Sequence, residues 1–353
     1  MTIYWLMLFV PIMLGGSQWR ANESLSIIQW SIYGVLLVLI IGFRYQTGGD
    51  WYTYIDNYLF LKNTSLIGSI EELGLFGDPG FTVIHWFSMN YFNGAYFTNF
   101  ISAIIFVYGL IKLCRNMPIP WLALTLSIPY LVIVVSFGYL RQSIAIGFLM
   151  LGLVNLMFGN GKKYYLAIAL GSLFHATVFI MIFIGYFYRN KLTNFRGMLF
   201  FLLFSLVFLS IILSERFAFM LYHYVQNTEL HSSGATIRAS LNMFAVLVFL
   251  YFRKSWEVQY KDSKLWVIFS VVSIAMFPLV FEFSTTIDRL SLYLIAMQLV
   301  IFSRIPALIL HTNIRGAFII SIIILYVLMM FFWFNYGNYS HSWLPYQNLL
   351  SYL

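Results

Sequence analysis

The chain has 353 residues, of which 61% are hydrophobic, 20% aromatic and only 9% charged, and its mean hydropathy is +0.84. A soluble domain carries about 25% charged residues, so the composition excludes an ordinary soluble enzyme. It makes the chain an all-α, polytopic transmembrane helical bundle, read as one domain over residues 1–353. The net charge of +8 does not point to nucleic acid, because no basic run exceeds two residues and the positives alternate with apolar spans, as orientation signals do. The lone cysteine, Cys114, excludes an internal disulfide and any cysteine-built metal site.

In chain order, apolar segments fall at 3–16, 27–43, 81–92, 95–113, 120–137, 142–158, 164–188, 198–213, 240–252, 265–281, 290–309 and 317–334. Gly, Asn, Ser and Pro punctuate the connections. Met1–Gly16 lacks a basic flank and a small-residue cleavage site, and reads as a retained first helix rather than a removed signal peptide. The longest polar stretches are 44–80, 214–239 and the tail 335–353. Lys112/Arg115, Lys162/Lys163 and the cluster from Arg253 to Lys264 all favour the cytoplasm. They share one side only if two segments fail to cross. One is 81–92, about 18 Å long as a helix against a hydrocarbon core of roughly 30 Å. The other is 164–188, expected to break near His175, dip in and return, since non-helical backbone at that depth is tolerated where it lines a polar cavity. Both termini and the three polar stretches then lie outside. Acidic residues, on which the orientation rule does not rest, gather on that outer side, and Arg44, Arg141, Arg238 and Arg289 share it.

Arg141 is the only charged side chain between Pro120 and Phe158. An arginine at bilayer depth costs about 2.5–3.5 kcal/mol on insertion scales. It either snorkels to the headgroups or presents its planar fork to phosphate oxygens, with Gln142 beside it as a further donor. Gly48-Gly49 permits a tight turn, after which Asp50 either caps a helix beginning at Trp51 or stands as a carboxylate at a cavity mouth. In Gly77-Asp78-Pro79-Gly80-Phe81, Pro79 suits a first helical turn and Asp78 its N-cap; the dipole of that short helix then points at the outer cavity. His175 either plugs the helix break as a core histidine or serves as a general base or phosphate partner; His85 is a weaker candidate. His223, Glu229 and His231 do not match a metal-ligand spacing, and Arg238 is the better candidate in that loop. Asp288-Arg289 is either a local salt bridge or an anion site in which Asp288 orients Arg289. No Asp-x-Asp, phosphate-binding loop or nucleophile elbow occurs, so no metal, cofactor, nucleotide hydrolysis or serine hydrolase chemistry is indicated.

Together, Arg44…Gly49-Asp50-Trp51…Tyr54, Asp78-Pro79-Gly80-Phe81, Arg141-Gln142-Ser143-Ile144-Ala145, Phe174-His175-Ala176-Thr177, Arg289 and Pro345-Tyr346 resemble the Wzy/EpsG group of polysaccharide polymerases, over most of the chain. Asp78 stands where that pattern usually carries glutamate. The resemblance implies a GT-C-like membrane glycosyltransferase of the bacterial inner membrane. Such an enzyme joins undecaprenyl-diphosphate-linked oligosaccharide repeat units at the periplasmic or exterior face, for O-antigen and lipopolysaccharide, capsule or exopolysaccharide. A Wzz-type chain-length regulator is its usual partner besides membrane lipid. Breaking the glycosidic bond leaves a polyprenyl diphosphate whose charge arginines can stabilise without a metal, which assigns Arg141, Arg238 and Arg289 to the diphosphate with Arg44 as a fourth contact. Asp50, Asp78 and His175 are the alternatives for the base that the acceptor hydroxyl needs. A single displacement would invert the anomeric centre. An O-antigen ligase would use the same donor but generally carries a larger outer domain. A non-enzymatic lipid-linked glycan transporter favours inverted repeats and midplane polar sites, and none is visible. A membrane O-acyltransferase built on His175 would need a buried Asn or Asp partner, and none stands out in the sequence.

Overall fold

Inside a bilayer every backbone N–H and C=O must find a partner within the chain, and long apolar runs meet that demand as helices. The computed structural model describes residues 1–17, 23–55, 64–73, 78–92, 94–190 and 234–351, with the single positions 197, 199 and 206. Its helices are α1 (Thr2–Ser17), α2 (Glu23–Gly42), α3 (Leu66–Leu73), α4 (Pro79–Tyr91), α5 (Tyr96–Arg115), α6 (Pro120–Gly138), α7 (Leu140–Met157) and α8 (Gly161–Ser172). They continue with α9 (Met181–Arg189), α10 (Ala235–Gln259), α11 (Ser263–Leu279), α12 (Ser284–Leu308) and α13 (Thr312–Tyr336). Among the described residues, α2, α5, α6, α7, α10, α12 and α13 are long and apolar enough to cross a membrane, whereas the apolar stretches of α1 and α11 are shorter. The fold is therefore the all-α polytopic bundle that composition indicates. Nearly all of the expected apolar segment 198–213, and His223, Glu229 and His231, lie outside the described residues.

Burial sorts the helices. Within the apolar 18-residue stretch of each, 94% of α6 and 89% of α12 is buried, so they form the centre, whereas only 33% of α2 and 22% of α13 is buried, so these lie at the periphery. α5 and α7 approach closely because Gly109 and Gly147 face each other: a Cβ on Gly109 would sit 2.2 Å from the Gly147 carbonyl oxygen. This contact brings the start of α7, with Arg141, beside the helices that carry the preceding polar stretch. Within α6 the span Ile128–Val135 is π-helical and contains Pro129, which removes a backbone donor.

Neither of the two segments expected not to cross forms a continuous helix of spanning length, and α4 has 13 residues. Residues 161–189 form α8, a break at 173–175, a 3-10 turn (Ala176–Ile180) and α9. Gly161 at the start of α8 packs on the Arg189 guanidinium at the end of α9, so the pair enters and leaves at one end with His175 at its tip. That entry end also holds Lys264, which donates to the carbonyls of Tyr188 and Asn190, and the buried ion pair of Arg304 with Asp262 at 2.7 Å. At the opposite end α4 docks on the hairpin tip, where the Gly80 N–H donates to the Leu173 carbonyl at 2.8 Å. There too β1 (Arg44–Tyr45) pairs antiparallel with β2 (Gln347–Asn348) of the C-terminal tail, with Arg44 opposite Asn348 and Tyr45 opposite Gln347.

Candidate functional site

Asp78 is fully buried, and its backbone adopts a left-handed conformation (φ 59°, ψ 66°) immediately before Pro79. This overturns the N-cap expectation, because its side chain makes no capping bond to α4. The carboxylate turns to the hairpin instead. Its Oδ1 accepts the Ala176 N–H at 3.0 Å, and its Oδ2 accepts from Arg141 at 3.0 Å. His175 Nδ1 stands 3.5 Å from the same Oδ2. Burial opposes ionisation of Asp78, but His175, Arg141 and the Ala176 N–H together hold its carboxyl below the usual carboxylate range. Three distant sequence motifs thus meet in one cluster: the left-handed turn supplies the carboxylate, the start of α7 the guanidinium, and the broken helix the imidazole. Arg141 keeps 41% of its side chain exposed, so it can still receive an anion.

Asp50 follows the Gly48–Gly49 turn, and a helix begins at Trp51. Its carboxylate makes no ion pair within the described residues, yet Arg141, Arg289 and Arg44 all act on it electrostatically. Burial is the larger influence and pushes its carboxyl above the usual range despite those three cations. Tyr54, one helical turn on, is buried against Phe81 and His85, at centroid distances of 5.5 and 6.0 Å, and it interacts with Arg141. His85 itself is buried, bonds Thr98 Oγ1 at 3.2 Å through Nδ1 and stacks on Phe81. Burial pulls that imidazole down to about 4.

The remaining predicted contacts divide. Arg289 is exposed, and its guanidinium makes no hydrogen bond or ion pair to the described residues. Arg44 is 1% exposed, and its donors go to the carbonyls of Ile41 (2.8 Å) and Thr47 (3.2 Å) and to Asn99 Oδ1 (3.4 Å). Burial lowers it to about 10, which still leaves it charged. An entering diphosphate could reach Arg44 only by displacing those partners, so Arg44 fastens the chain between α2 and the Asp50 turn. Asp288 does not orient Arg289; it takes a two-pronged ion pair from Arg238 across to α10, with the guanidinium 5.2 Å from the Tyr130 ring. The Gln142 amide is likewise engaged, donating to the Arg289 main-chain carbonyl at 2.7 Å, so it ties α7 to α12 rather than offering an open donor.

Sequence reasoning did not single out Trp343, whose indole lies against both Gly49 and Gly138. Its only sequence signal is a tryptophan two residues before Pro345-Tyr346 in an otherwise polar tail. The Asn242–Gln298–Tyr326 hydrogen-bond chain joining α10, α12 and α13 was also missed, because each member is an isolated polar residue in an apolar run. In comparisons with known proteins, the model of the EpsG family matches residues 27–348. No curated protein and no solved structure matches the chain.

Proposed function

From the premise that the chain belongs to the EpsG family, a family of Wzy-type polysaccharide polymerases, we propose that it polymerises undecaprenyl-diphosphate-linked oligosaccharide repeat units at the extracytoplasmic face of a bacterial inner membrane. The observation that carries this proposal is the gathering of two accessible guanidiniums, Arg141 and Arg289, around a carboxylate, Asp50, that makes no ion pair among the described residues and on which both act. Lys112, Lys162 and Lys264 belong to the opposite end of the bundle, and the bias of such residues to the cytoplasm favours an outward-facing site.

In the proposed reaction, Arg141 and Arg289 bind the diphosphate of the donor, and Asp78 with His175 holds Arg141 in place. Arg238, neutralised by Asp288, shapes the wall. Asp50 takes the proton of the acceptor hydroxyl as its oxygen attacks the donor anomeric carbon. The carbon–oxygen bond to the diphosphate breaks, and the electron pair leaves with the lipid diphosphate, where the two arginines stabilise the new charge. Asp50 is the preferred base because its raised affinity for a proton brings it nearer the working pH, whereas Asp78 is held ionised and enclosed. One displacement inverts the anomeric configuration.

Reconstitution with defined undecaprenyl-diphosphate repeat units tests the proposal. Arg141→Ala and Arg289→Ala should each lower kcat by about 10²–10³, the loss typical of removing one preorganised charge stabiliser. Asp50→Asn should be inactive, and ladders should form in chelator. Product ladders surviving both arginine substitutions would overturn the site, retention of anomeric configuration would overturn the single displacement, and loss of ladders in chelator would overturn the metal-free step.

A further inference from the structure

The geometry points to Trp343 as a positioning residue: a wedge that holds the Asp50 turn in register with the start of α7, and so sets the separation of Asp50 from Arg141. It rests on the roles proposed above for those two side chains. Three stretches of chain meet around the indole. The first is Gly48–Gly49, just before Asp50. The second is Phe137–Gly138, at the end of α6 and just before α7. The third is Ser342–Trp343 of the C-terminal tail.

The indole is enclosed, most tightly against Gly138. The indole is 3% exposed. A Cβ on Gly138 would lie 2.8 Å from its Cζ2 and 3.0 Å from its Cη2, and one on Gly49 would lie 3.5 Å from its Cη2. Gly48, at φ +110°, lies so close to Phe137 that a Cβ would be 2.2 Å from that carbonyl oxygen. The Gly48 N–H donates to the Ser342 carbonyl at 2.9 Å, so the tail and the turn are also joined through the main chain. The wedge itself is fixed. Trp343 Nε1 donates to the Ile133 carbonyl in the π-helical stretch of α6 at 2.8 Å, the Tyr4 hydroxyl donates to the Trp343 carbonyl at 2.8 Å, and Trp333 packs edge-on at 5.1 Å.

An indole is large and has few rotatable bonds, so it transmits position well. The three glycines read as the space made for it and for the backbone contact beneath it. No hydrogen bond or cation–ring contact joins Trp343 to Asp50 or Arg141 among the described residues, which is why its role is positioning rather than chemistry. Removing it leaves both functional groups present, with only the Gly48–Phe137 backbone approach and the Gly48–Ser342 hydrogen bond to hold their two supports.

The test uses the full chain in lipid nanodiscs, with initial rates over a range of defined undecaprenyl-diphosphate donor. Trp343→Ala should lower kcat about tenfold to a hundredfold, the effect expected of an ångström-scale misplacement. Donor KM should stay within about twofold, because Arg141 and Arg289 remain. Gly138→Ala alone should also lower kcat, since its methyl collides with the indole. Combined with Trp343→Phe, whose smaller ring leaves room, Gly138→Ala should recover part of that loss. With rates normalised to folded protein, a merely structural role would leave kcat unchanged in every variant, and the pair of variants carries the test even if Trp343→Ala fails to fold. Failure of the underlying site looks different: Asp50→Asn would then retain wild-type kcat. If Asp50→Asn is inactive while Trp343→Ala keeps wild-type kcat, or if the Gly138→Ala and Trp343→Phe losses simply add, the positioning role is overturned.

Discussion

Asp288→Ala removes the carboxylate from a two-pronged ion pair whose partner, Arg238, cannot leave. The side chains of the pair are only 16% and 10% exposed, and Arg238 also lies over Tyr130 in the bundle. Taking away one partner of a buried pair strands the other charge and costs about 3–5 kcal/mol. The small residual exposure places this case near the lower figure, about 3 kcal/mol. Replacing both partners, as Arg238→Leu with Asp288→Ala, removes the stranded charge and should be close to neutral for stability, because the desolvation of both ions is relieved along with their attraction. At about 2 °C per kcal/mol for a long chain, the single variant should melt about 6 °C below wild type and the double variant within a degree or two of it. The ten tryptophans make intrinsic fluorescence in detergent a direct readout of unfolding. If the single variant melts like wild type, or the double variant melts as low as the single, the pair does not act as a buried, mutually dependent unit. Polymerisation by the double variant then asks a separate question. Substantial activity is expected, since Arg238 is assigned to the wall, and complete loss would return it to the diphosphate contacts.

Gly48→Ala should destabilise by at least about 2 kcal/mol, through the positive φ and the collision with the Phe137 carbonyl, neither of which a side-chain rotation relieves. A melting temperature unchanged from wild type would refute this. His85 gives a pH dependence of definite sign. Burial lowers its affinity for a proton from the ordinary 6.5 to about 4, so the stability of its neutral form is fully present above pH 6.5 and is lost as pH falls toward 4, by up to about 3 kcal/mol. His85→Phe keeps the stack on Phe81 and should flatten the melting temperature between those pH values; an unchanged slope would place the titration elsewhere.

Much of this molecule is legible from composition and spacing because the bilayer is a severe solvent. Most described helices start and stop within a few residues of the apolar runs, although α10 runs to Gln259, α12 begins at Ser284, and α3 lies in the stretch read as polar; the shortness of 81–92, with the basic residues around 162 and 189, is enough to expect both α4 and the returning pair at 161–189. Capping logic worked less well. Asp78 before Pro79 looks like an ordinary N-cap, but the hairpin tip offers its carboxylate an amide and an imidazole and the start of α7 a guanidinium, and those partners lie 63 to 98 residues away. The neighbours Asp288 and Arg289 look like a pair. On a helix, adjacent residues point in different directions, so Asp288 faces Arg238 on α10 while Arg289 is left exposed.

The amino-acid sequence by itself determined that the chain lives in a membrane as helices, where those helices lie, and which few charged residues are expensive enough to require a purpose. That follows from the local free-energy cost of placing each residue in hydrocarbon. Only the tertiary structure decided which of those charges are neutralised and which stay open: Arg44 folded into its own turn, Arg238 locked to Asp288, Arg141 held by Asp78 and Tyr54 with part of its side chain exposed, Arg289 unengaged by the described residues, and Asp50 half-buried with no ion pair among them. Partnership between charges depends on distances across the bundle, and those distances are set by the packing of separate helices, which no local pattern encodes.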